Sequence, residues 1–290
     1  MNVSGQRLIV HSSRKDVFTI WNFSDVHYGN KACALEAFKA DVQKVKDDPH
    51  SFWLSTGDLC DYISYSDRRF DPDVVPDYIS VKDLARLGKK LITDMRDMLM
   101  PIKDKCLGIG LGNHELKYMR YNEQIDLHSW LCTELECPNL GYSSLFDITF
   151  VRYPKWRKKP SLIPYNKRPS HSGTEPHKYR IYTHHGAGFA TTPGGKLNRL
   201  IRFMEYFDAD IYFCSHVHDQ KGQRLVVIGA DEQCTKLVQK EKIGVISGSY
   251  LKTYAENTIG YGEQKGYYPT VLGASFVRID PDKQRVTAEV

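Results

Sequence analysis

Val17 to His27 reads VFTIWNFSDVH: seven residues rich in β-branched and aromatic side chains predict a buried strand, and it runs directly into Ser24-Asp25-Val26-His27. Leu35, Phe38, Val42 and Val45 then recur at helical spacing until Pro49, and a second strand, Ser51 to Thr56, ends at Gly57-Asp58. Leu84, Leu87, Leu91, Met95 and Met98 predict another helix, stopped by Pro101, before a strand from Cys106 to Leu111 that ends at Gly112-Asn113-His114-Glu115. Tyr179 to Thr183 leads into His184-His185-Gly186, and after a helix marked by Leu197, Leu200, Ile201 and Met204, Asp210 to Cys214 ends at Ser215-His216-Val217-His218. Strands alternating with helices indicate an α/β fold, and ligands bind such folds at the carboxyl ends of the strands. Five polar clusters therefore converge on one site.

Beyond 218 strand formers dominate (Leu225 to Ile228, Lys242 to Ser247, Thr270 to Ile279, Arg285 to Val290), which reads as a second sheet of the same domain. No Ser- or Pro-rich linker, repeat or low-complexity tract divides the chain, so residues 1–290 are expected to form a single two-sheet domain, with irregular inserts near 62–80, 152–177 and 249–269. With 41% apolar and 26% charged residues in a 290-residue chain, a substantial core is expected. No apolar run approaches the roughly 18 residues of a membrane span, and the N-terminus lacks a secretory pattern. A cytoplasmic protein with no membrane partner is the expectation. Seven scattered cysteines then read as reduced thiols.

In an extended segment residues i and i+2 share a side, so Asp25 can face the same point as His27, and His216 the same point as His218. Adding Asp58, Asn113 and one or both of His184 and His185 gives mixed carboxylate, amide and imidazole ligation, suited to Mn, Fe, Zn or Ni. Seven donors exceed the need of one ion, and a shared carboxylate can hold two ions roughly 3.5 to 4 Å apart.

The ordered set Asp25-x-His27, Gly57-Asp58-x-x-Asp61, Gly112-Asn113-His114-Glu115, His184-His185 and His216-x-His218 resembles the calcineurin-like metallophosphoesterase superfamily over about 25 to 218. The resemblance implies a four-layer fold, a two-sheet β-sandwich flanked by helices, with the site at the sheet ends. It also implies two divalent transition-metal ions, manganese foremost. Asp25, His27, Asp58 and His218 would hold one; Asn113, His184 and His216, with Asp58 shared, would hold the other. His184 is favoured because it directly follows the strand, leaving His185 as a second candidate for metal or substrate contact. By the same resemblance His114, oriented by Asp61, would contact the phosphate or protonate the leaving oxygen. Two such ions lower the pKa of a bridging water from about 15.7 toward 7, giving a hydroxide aligned for in-line attack on phosphorus.

The chain carries a formal net charge of +5, but Arg152, Lys155, Arg157, Lys158, Lys159, Lys167 and Arg168 form an acid-free run, without which the balance is −2. Tyr153, Trp156 and Tyr165 interleave with it, a composition fit to track a polyanion and stack bases, or simply to form a solvated loop. Lys155, Trp156, Arg157, Lys158 and Lys159 are therefore candidate substrate contacts, as are Arg68 and Arg69 in the insert after Asp58. Tyr62 follows Asp61 where the protein-phosphatase pattern has Arg. The expected function is a phosphodiesterase acting on DNA, RNA or nucleotides. The alternatives are a phosphomonoesterase, acting on a phosphoprotein or a small molecule, and a non-catalytic scaffold. Oligomeric state is left open.

Overall fold

Phe18, Ile20, Phe52 and Leu54 of two neighbouring strands face one apolar interior, and Trp21, Phe23 and Trp53 of the same strands face another. The two-residue period of the pleat thus builds two cores from one sheet. The computed structural model describes the chain except residues 122–125, 157, 170–172, 175, 189 and 191, and for Tyr261 only the backbone. Its strands are β1 (Asn2–His11), β2 (Phe18–Ser24), β3 (Ser51–Gly57), β4 (Cys106–Gly110), β5 (Asn139–Gly141), β6 (Ser143–Arg152), β7 (Ser161–Pro164), β8 (His177–His184), β9 (Ile211–Cys214), β10 (Gln220–Ala230), β11 (Leu237–Ser247), β12 (Phe276–Asp280) and β13 (Arg285–Glu289). The helices are α1 (Leu35–Asp47), α2 (Val81–Leu84), α3 (Leu87–Leu99), α4 (Asn113–Tyr121), α5 (Leu127–Glu134), α6 (Pro193–Tyr206) and α7 (Tyr261–Gln264).

One sheet runs β13-β12-β2-β3-β4-β5 and the other β10-β11-β9-β8-β6-β1-β7. Phe18, Phe52, Leu54 and Leu107 from the first meet Phe146, Ile148, Phe150, Ile181 and Phe213 from the second in the shared interior. Phe38 and Val42 of α1, Leu91 and Met95 of α3 and Leu131 of α5 cover the outer face of the first sheet, and Leu200 and Met204 of α6 cover that of the second. The result is the four-layer sandwich flanked by helices.

Several elements differ from the sequence reading. The strands beyond 218 do not form one sheet: β10 and β11 extend the sheet of β9, whereas β12 and β13 pair beside β2. The strand expected from Thr270 begins only at Phe276. The helix expected from Leu84 onward is broken after α2, whose Ser80–Asp83 capping box starts a separate turn. The 152–177 insert is not wholly irregular, since β7 pairs antiparallel with Arg7–Val10 of β1. β1, β5, β6 and β7 bear no polar cluster at the site, which is why the strand-then-cluster pattern passed over them. No helix among the described residues is long and apolar enough to cross a membrane.

Strand direction fixes where loops emerge. Ser143 at the start of β6 pairs with His184, at the site end of β8, and Phe150 pairs with His177. The loop after Arg152 therefore leaves the sheet at the opposite end, about 30 Å away by strand rise.

Phe150 is fully buried and its ring centroid lies 4.9 Å from that of Phe18 across the two sheets. Phe150→Ala is expected to cost about 3–5 kcal/mol in a denaturant titration while leaving metal affinity, measured calorimetrically, unchanged.

Candidate metal centre

Three of the five strands that carry chemistry, β2, β3 and β9, end in left-handed turns. Asp25 (φ 49°), His27 (52°), Asp58 (54°), His216 (74°) and His218 (48°) all have positive φ. Extended geometry thus does not bring Asp25 to His27, or His216 to His218, as the i, i+2 argument supposed; the αL backbone does. Asp and His are among the side chains that tolerate it. Asp25 N–H donates to Gly57 O (3.0 Å), His27 N–H to Asp58 O (3.1 Å), and the Tyr250 N–H (3.0 Å) and Ser249 hydroxyl (2.8 Å) donate to Asp25 O. Gly57 and Gly112 let the second and third clusters touch: a Cβ on Gly112 would lie 2.1 Å from Asp58 Oδ1.

The donors form three interlocking triads: Asp25, His27 and His218; His27, Asp58 and His114; and Asp58, His185 and His216, the ligand atoms of each lying within 4.8 Å of one another. His27 Nδ1 is 3.0 Å from Asp61 Oδ1, so its Nε2 faces inward, 3.1 Å from His218 Nε2. Asp25 Oδ2 accepts the His216 N–H (2.7 Å), while its Oδ1 is buried with no partner, 3.7 Å from His218 Nε2. A buried carboxylate oxygen without a donor, facing imidazole nitrogens, is the arrangement that a cation resolves. The nitrogen and oxygen donors fit a transition metal.

His184, favoured from sequence, turns away. Its Nδ1 accepts the Gly186 N–H (2.8 Å) and its ring stacks on Phe203 of α6 at 4.5 Å. His185 takes the place beside Asp58: Nδ1 donates to Thr56 O (2.9 Å), and Nε2 lies 3.1 Å from Asp58 Oδ2 and 2.9 Å from Asn113 Oδ1. β8 continues through His184, so the pleat sends Tyr182 and His184 outward to α6 and leaves the next residue to face the sandwich end. Ser215 braces the same histidine, its hydroxyl donating to His185 O and accepting from Thr56 Oγ1, both at 2.8 Å.

Asp61 touches two rings. Beyond its bond to His27, its backbone carbonyl accepts from His114 Nδ1, which is 3.3 Å from Asp61 Oδ1. Glu115 was not singled out from sequence, yet its buried carboxylate accepts the N–H groups of Asp58 (3.0 Å), Leu59 (2.8 Å) and Gly112 (3.1 Å), fastening the second cluster to the third. Its place in Gly112-Asn113-His114-Glu115, one helical turn from the glycine, was the available signal.

Charge is tightly balanced. Burial raises Asp25, and raises Glu115 to about 7 with help from the Asp58 charge. Burial would also raise Asp58, but His185, His114 and His27 hold it well below the carboxylate range. Burial disfavours a charged His185, yet Asp58, Asp25 and Glu115 outweigh it and push that imidazole up to about 9. Burial and the neighbouring His185 bring His216 down to about 4. The pocket demands positive charge beside Asp58, supplied by a proton or by a metal.

Of the candidate substrate contacts, Arg69 is the one fixed near this centre: Asp67 grips it with bonds of 3.0 and 2.6 Å, and the Asp61 and Asp58 charges also act on it. Arg68 is exposed with no ion pair among the described residues. Lys155, Trp156, Lys158 and Lys159 lie on the loop at the opposite end of β6 and do not reach this site, because β6 runs away from it. Arg157 lies outside the described residues. Within the 249–269 insert, Tyr250 is fully buried and donates to Asp41 Oδ2 at 2.8 Å.

The family profile of the calcineurin-like phosphoesterases matches residues 18–220. No curated protein matches the chain in sequence. Among solved structures the chain is similar to wild-type Vps29 complexed with zinc from Entamoeba histolytica, at 11% identity over 94% of this chain and 97% of that one, with a TM-score of 0.40. It is also similar to GAP50, the anchor in the inner membrane complex of Plasmodium, at 10% identity over 91% and 82% with a TM-score of 0.43.

Glu115→Gln keeps the shape but replaces one acceptor oxygen with a donor facing backbone N–H groups. It is expected to lower metal affinity at least tenfold in calorimetry and to destabilise the fold by about 1–3 kcal/mol. Added Mn²⁺ or Zn²⁺ should raise the thermal midpoint of the native chain, and Asp25→Asn should reduce that rise.

Proposed function

The chain belongs to the calcineurin-like phosphoesterase family, and from that premise we propose that it is a metal-dependent hydrolase of phosphodiester bonds in nucleic acids or nucleotides. The observation that carries the reading is Asp58, whose carboxylate belongs to two of the three triads and so can be shared by two cations. In this reading Asp25, His27, Asp58 and His218 hold one ion, and Asp58, Asn113, His185 and His216 the other, with manganese the first choice among Mn, Fe, Zn and Ni. Bound there, divalent ions supply Lewis acidity that activates water and neutralises phosphoryl oxygens.

The remaining work falls to the protein. His114, held at Nδ1 by the Asp61 carbonyl, keeps its other ring nitrogen for the departing ester oxygen and delivers a proton to it. His27 is oriented by Asp61, so one carboxylate residue sets two imidazoles. Arg69, held by Asp67 and within the field of Asp61 and Asp58, would meet a phosphoryl oxygen. The diester is preferred because Tyr62, after Asp61, is buried against Tyr118 and brings no cation to match the extra charge of a monoester. Asp25 Oδ1, without a hydrogen-bond partner among the described residues, speaks against an ion-free scaffold, which would bury that carboxyl group unsatisfied and to no use.

With Mn²⁺, a bis-aryl phosphate is expected to be hydrolysed faster than a mono-aryl phosphate; the reverse order would favour the monoesterase, and a chain that binds no metal and turns over neither ester with Mn²⁺ added would favour the scaffold. Asp58→Asn should weaken metal binding and abolish turnover. His114→Ala should retain the metals and lose about 10²- to 10⁴-fold in rate, read by elemental analysis beside initial rates.

A further inference from the structure

The basic run that opened the question of nucleic acid sits at the wrong end of the molecule for catalysis, and that placement is informative. At the end of β6 the chain enters a built turn: Trp156 N–H donates to Tyr153 O (2.8 Å), and its indole N–H donates to Lys159 O (3.1 Å). The half-buried indole packs on the cluster of Leu8, Val10, Val151 and Tyr153. With the indole committed inward, Lys155, Lys158 and Lys159 are presented outward. Lys15, in the turn after β1, joins them, because His11 at the end of β1 pairs with Arg152. Lys167, on the short helical turn after β7 beside the 44% exposed Tyr165, lies farther back along the sheet, because β7 runs antiparallel to β1 and ends opposite Arg7. Lys15, Lys155, Lys158 and Lys159 have no ion-pair partner among the described residues.

We propose that this end of the sandwich, about 30 Å from the metal centre, is a docking surface that grips nucleic acid by its phosphate backbone. Lysines without paired acids release counterions when they meet phosphates, and they do so without reading sequence. An anionic membrane could attract these lysines by charge alone. Trp156, however, is used in packing and Tyr165 is the large apolar side chain exposed along this run to deepen such contact, so nucleic acid is favoured and vesicle retention is an outcome of the test. The inference deepens the proposed function by choosing a polymer over a free nucleotide. It rests on that reading for the cut, but the binding stands on its own observations. It also sets a length: a duplex that touches both ends must span about nine base pairs at 3.4 Å per step.

The test compares the full chain with its Lys155→Glu/Lys158→Glu/Lys159→Glu variant, without metal, by fluorescence anisotropy on a 30-base-pair duplex and a 30-nucleotide strand between 50 and 200 mM salt. The variant is expected to bind at least tenfold more weakly, with a log–log salt slope smaller by about 3. Its hydrolysis of a bis-aryl phosphate should match that of the parent, which also shows that it is folded. Equal binding by both proteins, no binding by the parent at 50 mM salt, or stronger retention on phosphatidylserine vesicles than on DNA or RNA would overturn the proposal. Binding without cleavage of the polymer would uphold this surface and count against the proposed function instead.

Discussion

The site depends on a backbone constraint: the chain must turn left-handed immediately after leaving β2, β3 and β9. Asp25, His27, Asp58, His216 and His218 all do so. Each such residue costs of the order of 1 kcal/mol or more, so the five together are comparable with the whole net stability of many domains. The cost is met by a lattice of bonds among the turns themselves. Asp25 receives four of them at its two ends: its N–H reaches Gly57 O, its carbonyl takes the Ser249 hydroxyl and the Tyr250 N–H, and its carboxylate takes the His216 N–H. The first cluster is thereby tied to the second, to the fifth and to the chain after β11. Strain and ligand geometry are one feature here.

Electrostatics adds a second requirement. Asp25, Asp58, Asp61 and Glu115 are all buried within one pocket, and no Lys or Arg among the described residues pairs with any of them. Their compensation comes from imidazoles and backbone N–H groups. Glu115 and Asp61 are satisfied as they stand, by three amides and by histidine and asparagine donors. Asp58 accepts the His114 N–H (2.8 Å) and lies 3.1 Å from His185 Nε2, whereas Asp25 Oδ1 has no hydrogen-bond partner among the described residues; both carboxylates face the triads. A carboxylate oxygen left without a partner where donor atoms converge is poised for a cation, and binding there would be coupled to the stability of the turns around it.

The five clusters were legible in the sequence because each couples a local apolar run to a local polar end, and the α/β alternation between them is also local. What the sequence left open depended on register or direction. Whether His184 or His185 faces Asp58 turns on whether β8 continues one residue past Thr183; with Ile181 in the sandwich interior and Tyr182 against α6, the alternation already pointed His184 outward. Glu115 was overlooked because a carboxylate that binds only backbone N–H groups has no partner residue in the sequence to betray it. The basic loop was read correctly as a cationic run and placed wrongly, because nothing local says that β6 runs away from the site.

That separation limits how the two ends can cooperate. At physiological ionic strength the screening length is about 8 Å, several times shorter than the distance between the lysines and the metal triads. Through solvent, the distal charges therefore cannot tune the metals, shift the imidazoles or draw a small phosphate ester into the pocket. They can influence catalysis only through a substrate long enough to be held at one end and cut at the other. Recognition by charge and cleavage by metal would then be different surfaces of one sandwich, coupled by the polymer itself rather than by the protein's own field.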